Sequence, residues 1–334
     1  MGGSHALRGR DTRASTDGEY REAVMAVGRL RMLGSIASMR QRCAALRLRR
    51  AWPWSAAILA TLVIAVGVGA FSAQAEDASI SSRRAAERTS FSNDEIMDGF
   101  FKIAFGAELQ LGRRVERIRK FDEPVRVFVF DQGSHKRKAE IATIIDDIRS
   151  RVHRLDLAMT DDPQAANLAV IVVPERDLKR AIRSVYGRER AREIERSLNP
   201  QCLSSFGKDE RYRIRHAEVI LPADTDDFTF YDCAYEELLQ ALGPINDDRS
   251  VLWTMFNDDV QMGFFDVYDQ YLLNILYDPR IRPGMTKQDV ARLIPEILPA
   301  VRERLAAAIV APRTRSDGGP AAAEPIPRSP ASSE

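Results

Sequence analysis

The chain has 334 residues, of which 45% are apolar and 29% charged, and its formal net charge is +1. These are the proportions of an ordinary globular protein. So even a charge balance gives no overall attraction to nucleic acid or to an acidic partner, and the length allows one large domain or two small ones.

The first recognisable element is an export segment. Residues 51–75 contain no charged side chain, and residues 56–71 are apolar apart from Thr61. That length suits the apolar part of a signal peptide or a short membrane helix. Arg40, Arg42, Arg47, Arg49 and Arg50 precede it, and no acidic residue occurs between Glu22 and Glu76. Positive charge resists translocation, so residues 1–50 are expected in the cytoplasm and everything after the segment outside it. Ala73-Gln74-Ala75 before Glu76 has the form of a cleavage site, and a start at Met39 would give a compact Arg-rich leader. The alternative is an uncleaved anchor. No cysteine follows the apolar run, so lipoprotein processing is not supported. The expected location is periplasmic, either secreted or held at the inner membrane by residues 56–71.

Cysteine placement agrees with that division. Cys43 lies before the segment, and Cys202 and Cys233 lie after it. An even pair in an oxidising compartment predicts a disulfide between Cys202 and Cys233.

Polar, serine-rich residues 76–95 read as a linker, and residues 311–334, rich in proline, alanine and serine, as a disordered tail. Between them, residues 96–310 alternate helical and strand patterns. A short helix is predicted over 94–105, capped by Ser92 or Asn93. Residues 125–130 are β-rich, and 136–155 carry apolar residues at helical spacing. Residues 167–173 form a near-continuous apolar run of central-strand type. A charged helix over 177–198, a strand over 217–221 and helices near 230–242, 263–277 and 286–308 complete the order. The expected fold class is α/β with a mixed sheet and a helical C-terminal part, preceded by one N-terminal membrane or signal segment. The Arg-rich stretch 176–215 is interleaved with Glu189, Glu193 and Glu195 and reads as a solvated face; no nucleic-acid partner is expected.

The chemically suggestive run is Glu236-Glu237-Leu238-Leu239-Gln240-Ala241-Leu242-Gly243-Pro244-Ile245-Asn246. Its spacing resembles the His-Glu-x-x-His-x-x-Gly-x-x-His motif of metzincin zinc peptidases. There the first two ligands share a helix face, the glutamate works on metal-bound water, and the glycine turns the chain toward the third ligand. Here the base position is kept as Glu237 and the turn as Gly243, but the ligand positions hold Glu236, Gln240 and Asn246. Ser250-Val251-Leu252-Trp253 resembles the turn beneath the metal in matrixin-type enzymes, with Leu252 in place of methionine. One carboxylate and two carboxamides make a poor zinc site, so no metal, no cofactor and no peptidase activity are expected.

The same region is similar to a proteobacterial family of exported proteins and lipoproteins known only as a domain of unknown function, number 2927. The match rests on Cys233, Glu236, Glu237, Gln240, Gly243, Asn246 and Asp247, then Phe256-Asn257-Asp258, then Leu276-Tyr277-Asp278-Pro279-Arg280 and Gly284-Met285. That resemblance implies no known activity; the zincin-like fold is what the metzincin comparison implies. Glu236, Gln240, Asn246, Asp247, Asn257 and Asp258 are the candidate binding cluster, and Glu237 is the one candidate catalytic group. The reading favoured by the sequence is a non-catalytic envelope module that binds a peptide, a glycan or a protein. The alternatives are a hydrolase or a hard-cation site built on Glu236 and Glu237. The latter draws on thirteen acidic residues and the single basic Arg249 between Asp224 and Asp278. A polar network that only fixes the helix is the structural equivalent.

Overall fold

A computed structural model of the chain describes residues 77–106, 116–198 and 200–310. The expected export segment and C-terminal tail lie outside these residues. Helices α1 (Ala78–Ala85) and α2 (Asn93–Ile103) lead into strand β1 (Val125–Asp131), helix α3 (Lys138–Arg151), and strands β2 (Leu157–Met159) and β3 (Leu168–Val173). Helices α4 (Leu178–Tyr186) and α5 (Arg188–Ser197) follow. Strands β4 (Leu203–Lys208) and β5 (Ile214–Pro222) and helices α6 (Asp227–Ala241), α7 (Val267–Leu276) and α8 (Lys287–Val310) complete the order.

The five strands form one mixed sheet in the order β2-β1-β3-β5-β4. β2, β1, β3 and β5 run parallel, and β4 pairs antiparallel with β5 from Leu203 opposite Ile220 to Lys208 opposite Ile214. The expected α/β class is therefore the observed one. All six residues of β3 are buried because both faces of the sheet are covered. Leu168, Val170 and Val172 point into the larger core with Ile141, Ile144, Ile145 and Ile148 of α3 and Phe230, Leu238 and Leu239 of α6. Ile171 and Val173 face the smaller core under α4 and α5, with Leu178, Ile182 and Ile194. This alternation is the period of two that a strand imposes.

Two local expectations are corrected, and two strands are added. The 76–95 stretch is not a plain linker: α1 forms within it, capped by Asp77, and Ile80 and Phe91 are buried in the main core. The charged helix expected over 177–198 is two helices, broken at Gly187, whose φ of +79° suits glycine. Strands β2 and β4 were not anticipated. β2 has only three residues, and β4 is a polar edge strand, Leu-Ser-Ser-Phe-Gly-Lys, without a clear apolar alternation.

Helix α6 is set by its ends. The Asp226 side chain caps it by accepting from the Thr229 amide at 3.0 Å. Buried Arg137, at the start of α3, donates to the Asp227 carboxylate at 2.8 Å and to the carbonyls of Ala223 and Thr225, with its guanidinium over the Phe230 ring. At the other end Gly243 has φ +139°, and a Cβ there would lie 2.4 Å from the Arg119 carbonyl oxygen, so only glycine fits.

Candidate functional site

The site is built where α6 passes beneath the edge strand β4. The Cys202–Cys233 disulfide fastens the start of β4 to the middle of α6. Two turns further along, Gln240 is buried at 3% exposure. Its Oε1 accepts from Ser204 Oγ on β4 at 3.1 Å, and its Nε2 donates to Asp247 Oδ1 at 3.0 Å. Past Gly243 the chain turns back, and Asn246 Nδ2 donates to the Asp247 carbonyl at 3.3 Å and to the Lys102 carbonyl in α2 at 2.8 Å. Gly106 leaves room for this side chain, since a Cβ there would stand 2.7 Å from Asn246 Oδ1.

Of the sequence-derived cluster, then, Gln240, Asn246 and Asp247 are brought together by hydrogen bonds. Glu236 is half-buried one turn earlier on α6, and its charge adds to the upward pressure on the Asp269 carboxyl of α7. Glu237 is buried, and its charge acts on the Tyr186 phenol at the end of α4. Asn257 and Asp258 build a separate loop. Asn257 Nδ2 donates to the carbonyls of Val251 and Arg249, its Oδ1 accepts from the Asp259 amide, and exposed Asp258 pairs with Arg249 at 3.1 Å. The comparison of Leu252 with a methionine beneath a metal is corrected. Leu252 is 63% exposed, and the buried apolar residues of that loop are Val251, Met255 and Phe256.

Two groups of polar residues escaped sequence reasoning. The first lies on the opposite face of β4. Because successive strand residues point to opposite faces, Ser204 meets Gln240 while Ser205 meets Glu218. Ser205 Oγ donates to Glu218 Oε2 at 3.1 Å and lies 2.8 Å from the Tyr186 hydroxyl; His216 Nε2 is 3.9 Å from Glu218 Oε1. Gly207, cross-strand from His216, leaves space for the imidazole, which a Cβ would meet at 2.0 Å. Burial pushes Glu218 up to about 7, against a partial offset from the Ser205 hydroxyl, and burial also pushes the Tyr186 phenol upward. The second group supports α7. Asp266 caps the helix by accepting from the amides of Tyr268 and Asp269, and fully buried Asp269 accepts from Thr254 Oγ1 at 2.5 Å and the Met255 amide at 2.8 Å. Burial pushes Asp269 up to about 6 and raises Asp266 well above the ordinary carboxylate range. The only hint of this pair in the sequence is an aspartate at a helix start, which is an ordinary cap.

Among the described residues no group of three or more His, Cys, Asp or Glu side chains is placed to hold a metal ion. No described helix is long and apolar enough to cross a membrane.

The fold and this site define a disulfide-bridged α/β domain whose motif helix is hydrogen-bonded to an edge strand. The sequence profile of the family described as protein of unknown function (DUF2927) matches residues 93–296, and the chain belongs to that family. No curated protein and no solved structure matches the chain.

Proposed function

We propose that this is an exported cell-envelope protein whose domain is a non-catalytic, metzincin-like module that holds an extended peptide segment of a partner along β4. The carrying observation is that β4, the last strand of the sheet, is fastened from both faces. Gln240 of α6 holds Ser204 on one face, Glu218 holds Ser205 on the other, and the disulfide anchors the strand's start. An edge strand offers a row of backbone donors and acceptors to an incoming strand, and rigidity lowers the ordering cost of that pairing.

A sheet followed by the Glu-Glu helix supports the metzincin comparison, as does the glycine-only turn at Gly243. The non-catalytic reading is supported by the amide chemistry at Gln240 and Asn246. Both are buried and bonded to protein partners, so they act as fasteners of the strand and of α2. Without zinc, Glu237 has no activated water to work on. Export is supported by the uncharged segment at 51–75 and by the disulfide, which suits an oxidising compartment.

Two experiments test this. Peptides selected from a random display library on the oxidised protein should protect the amides of 203–208 from hydrogen exchange. Selected binders that protect other surfaces instead would refute the edge-strand reading. A reporter fused after Glu76 should be active only in the form that works outside the cytoplasm, and a cytoplasmic signal would refute export.

A further inference from the structure

A cleft of about 560 Å³ opens where β1 and β2 begin and the turn between β4 and β5 meets the end of α7. Its floor is apolar, with Phe121, Leu155, Tyr277 and Ile281 among the lining residues. Tyr277 is pinned by a hydrogen bond from its hydroxyl to the Leu242 carbonyl, and the Lys120 ammonium donates to the Leu276 carbonyl at 2.7 Å. The motif segment around Tyr277 and Pro279, which the α6 site does not use, forms one wall.

The charges of this cleft are unevenly matched. Its three carboxylates are engaged: Asp156 with Arg126 at 2.7 Å, Glu123 with Arg215 at 2.6 Å, and Asp122 with Arg213 and Arg215 at 3.8 and 3.9 Å. Arg213 is further held by Asp209 at 2.7 Å. The guanidiniums of Arg154, Arg211 and Arg282 have no ion pair and no side-chain hydrogen bond to any described residue, and all three stand exposed around the opening.

The backbone adds an independent sign. Among the described residues, two other than glycine have positive φ, Arg154 at +68° and Tyr212 at +63°. Arg154 is one of the three arginines, and Tyr212 lies between Arg211 and Arg213. Left-handed backbone at bulky residues is unfavourable and clusters at ligand-binding and active sites.

We propose that this cleft is a binding site for an oxyanion ligand, an apolar body bearing phosphate or carboxylate groups, with Arg154, Arg211 and Arg282 as the recognising cations. Guanidinium forks match both oxyanions in geometry, and the apolar floor takes the body of the molecule. The site borders the turn that joins β4 to β5, but none of its lining residues belongs to β4 itself, so it does not rest on what β4 binds.

The test measures binding of pyrophosphate, citrate and phosphatidylglycerol vesicles to the full chain by calorimetry and co-sedimentation, with phosphatidylcholine vesicles as control. Saturable binding of pyrophosphate or citrate identifies a soluble oxyanion. Binding to phosphatidylglycerol vesicles alone identifies a lipid headgroup. Either must weaken about tenfold or more in Arg154→Gln/Arg211→Gln/Arg282→Gln, whose changes are all on exposed side chains, and persist in Arg183→Gln on α4. Circular dichroism shows whether the triple variant is folded; if it is not, the three single variants are compared, each losing part of the affinity. No saturable binding of any probe by the wild type, or equal binding by wild type and folded variants, overturns the proposal.

Discussion

Gln240 on α6 and Ser204 on β4, 36 residues apart in sequence, share a hydrogen bond of 3.1 Å. The position that the proposed metzincin comparison sets against a second zinc ligand is here a fastener between helix and edge strand. Its second amide atom is taken by Asp247 at 3.0 Å, so both polar ends of the side chain are satisfied within the protein.

Removing that side chain leaves the Ser204 hydroxyl and the Asp247 carboxylate without it. Gln240→Ala should therefore cost about 1–3 kcal/mol in denaturant unfolding. Hydrogen exchange should speed up in β4 before it does in β3. Uniform exchange across the sheet would contradict the fastening role.

The disulfide closes a loop with a sequence separation of 31 residues. The chain-entropy model gives it about 3–4 kcal/mol of stability, so Cys202→Ala/Cys233→Ala should lower the unfolding free energy by that order. Mass spectrometry of the protein produced in an oxidising compartment should find the two cysteines joined, and two free thiols would contradict the pairing.

Glu218 makes stability depend on pH in a stated direction. Its folded pKa, about 7, lies above its ordinary 4.5, so the folded protein holds a proton that the unfolded chain releases. Stability is then undiminished below about pH 4.5 and falls as pH rises toward 7, by about 3 kcal/mol at most. Asp269, pushed up to about 6, acts in the same sense. Glu218→Gln keeps an acceptor for Ser205 and removes one titration, so its stability should fall less than the wild type's between pH 5 and 8. Identical pH profiles would show that Glu218 is not buried as described.

Gly243 should tolerate no side chain. Its φ of +139° and the Arg119 carbonyl 2.4 Å from a would-be Cβ combine strain with a backbone collision. Gly243→Ala should lose more than about 3 kcal/mol or fail to fold. A variant as stable as the wild type would mean that α6 ends differently.

The sequence was most legible where one interaction dominates. The six-residue apolar run of β3 and the isoleucines of α3 declare their burial directly. Of the two cap candidates, Ser92 is the one that caps α2, and its capping box with Glu95 was not anticipated. β4 was opaque because an edge strand needs less apolar surface, and its two serines and Gly207 read locally as loop. The two amides of the motif were identified as a group, but their partners were not. Ser204 is 36 residues from Gln240, and Lys102 is 144 from Asn246, distances that no local spacing rule spans. Leu252 was misread for a related reason: the likeness of a four-residue turn says nothing about which way its third side chain points.

The central claim is that a zinc-peptidase spacing is here filled by hydrogen-bonding side chains, and metal analysis tests it most directly. Protein with its disulfide formed, purified without chelators, should contain zinc far below one equivalent by elemental mass spectrometry. Zinc at one equivalent per chain, lost on changing Glu236, Gln240 or Asn246, would contradict the account.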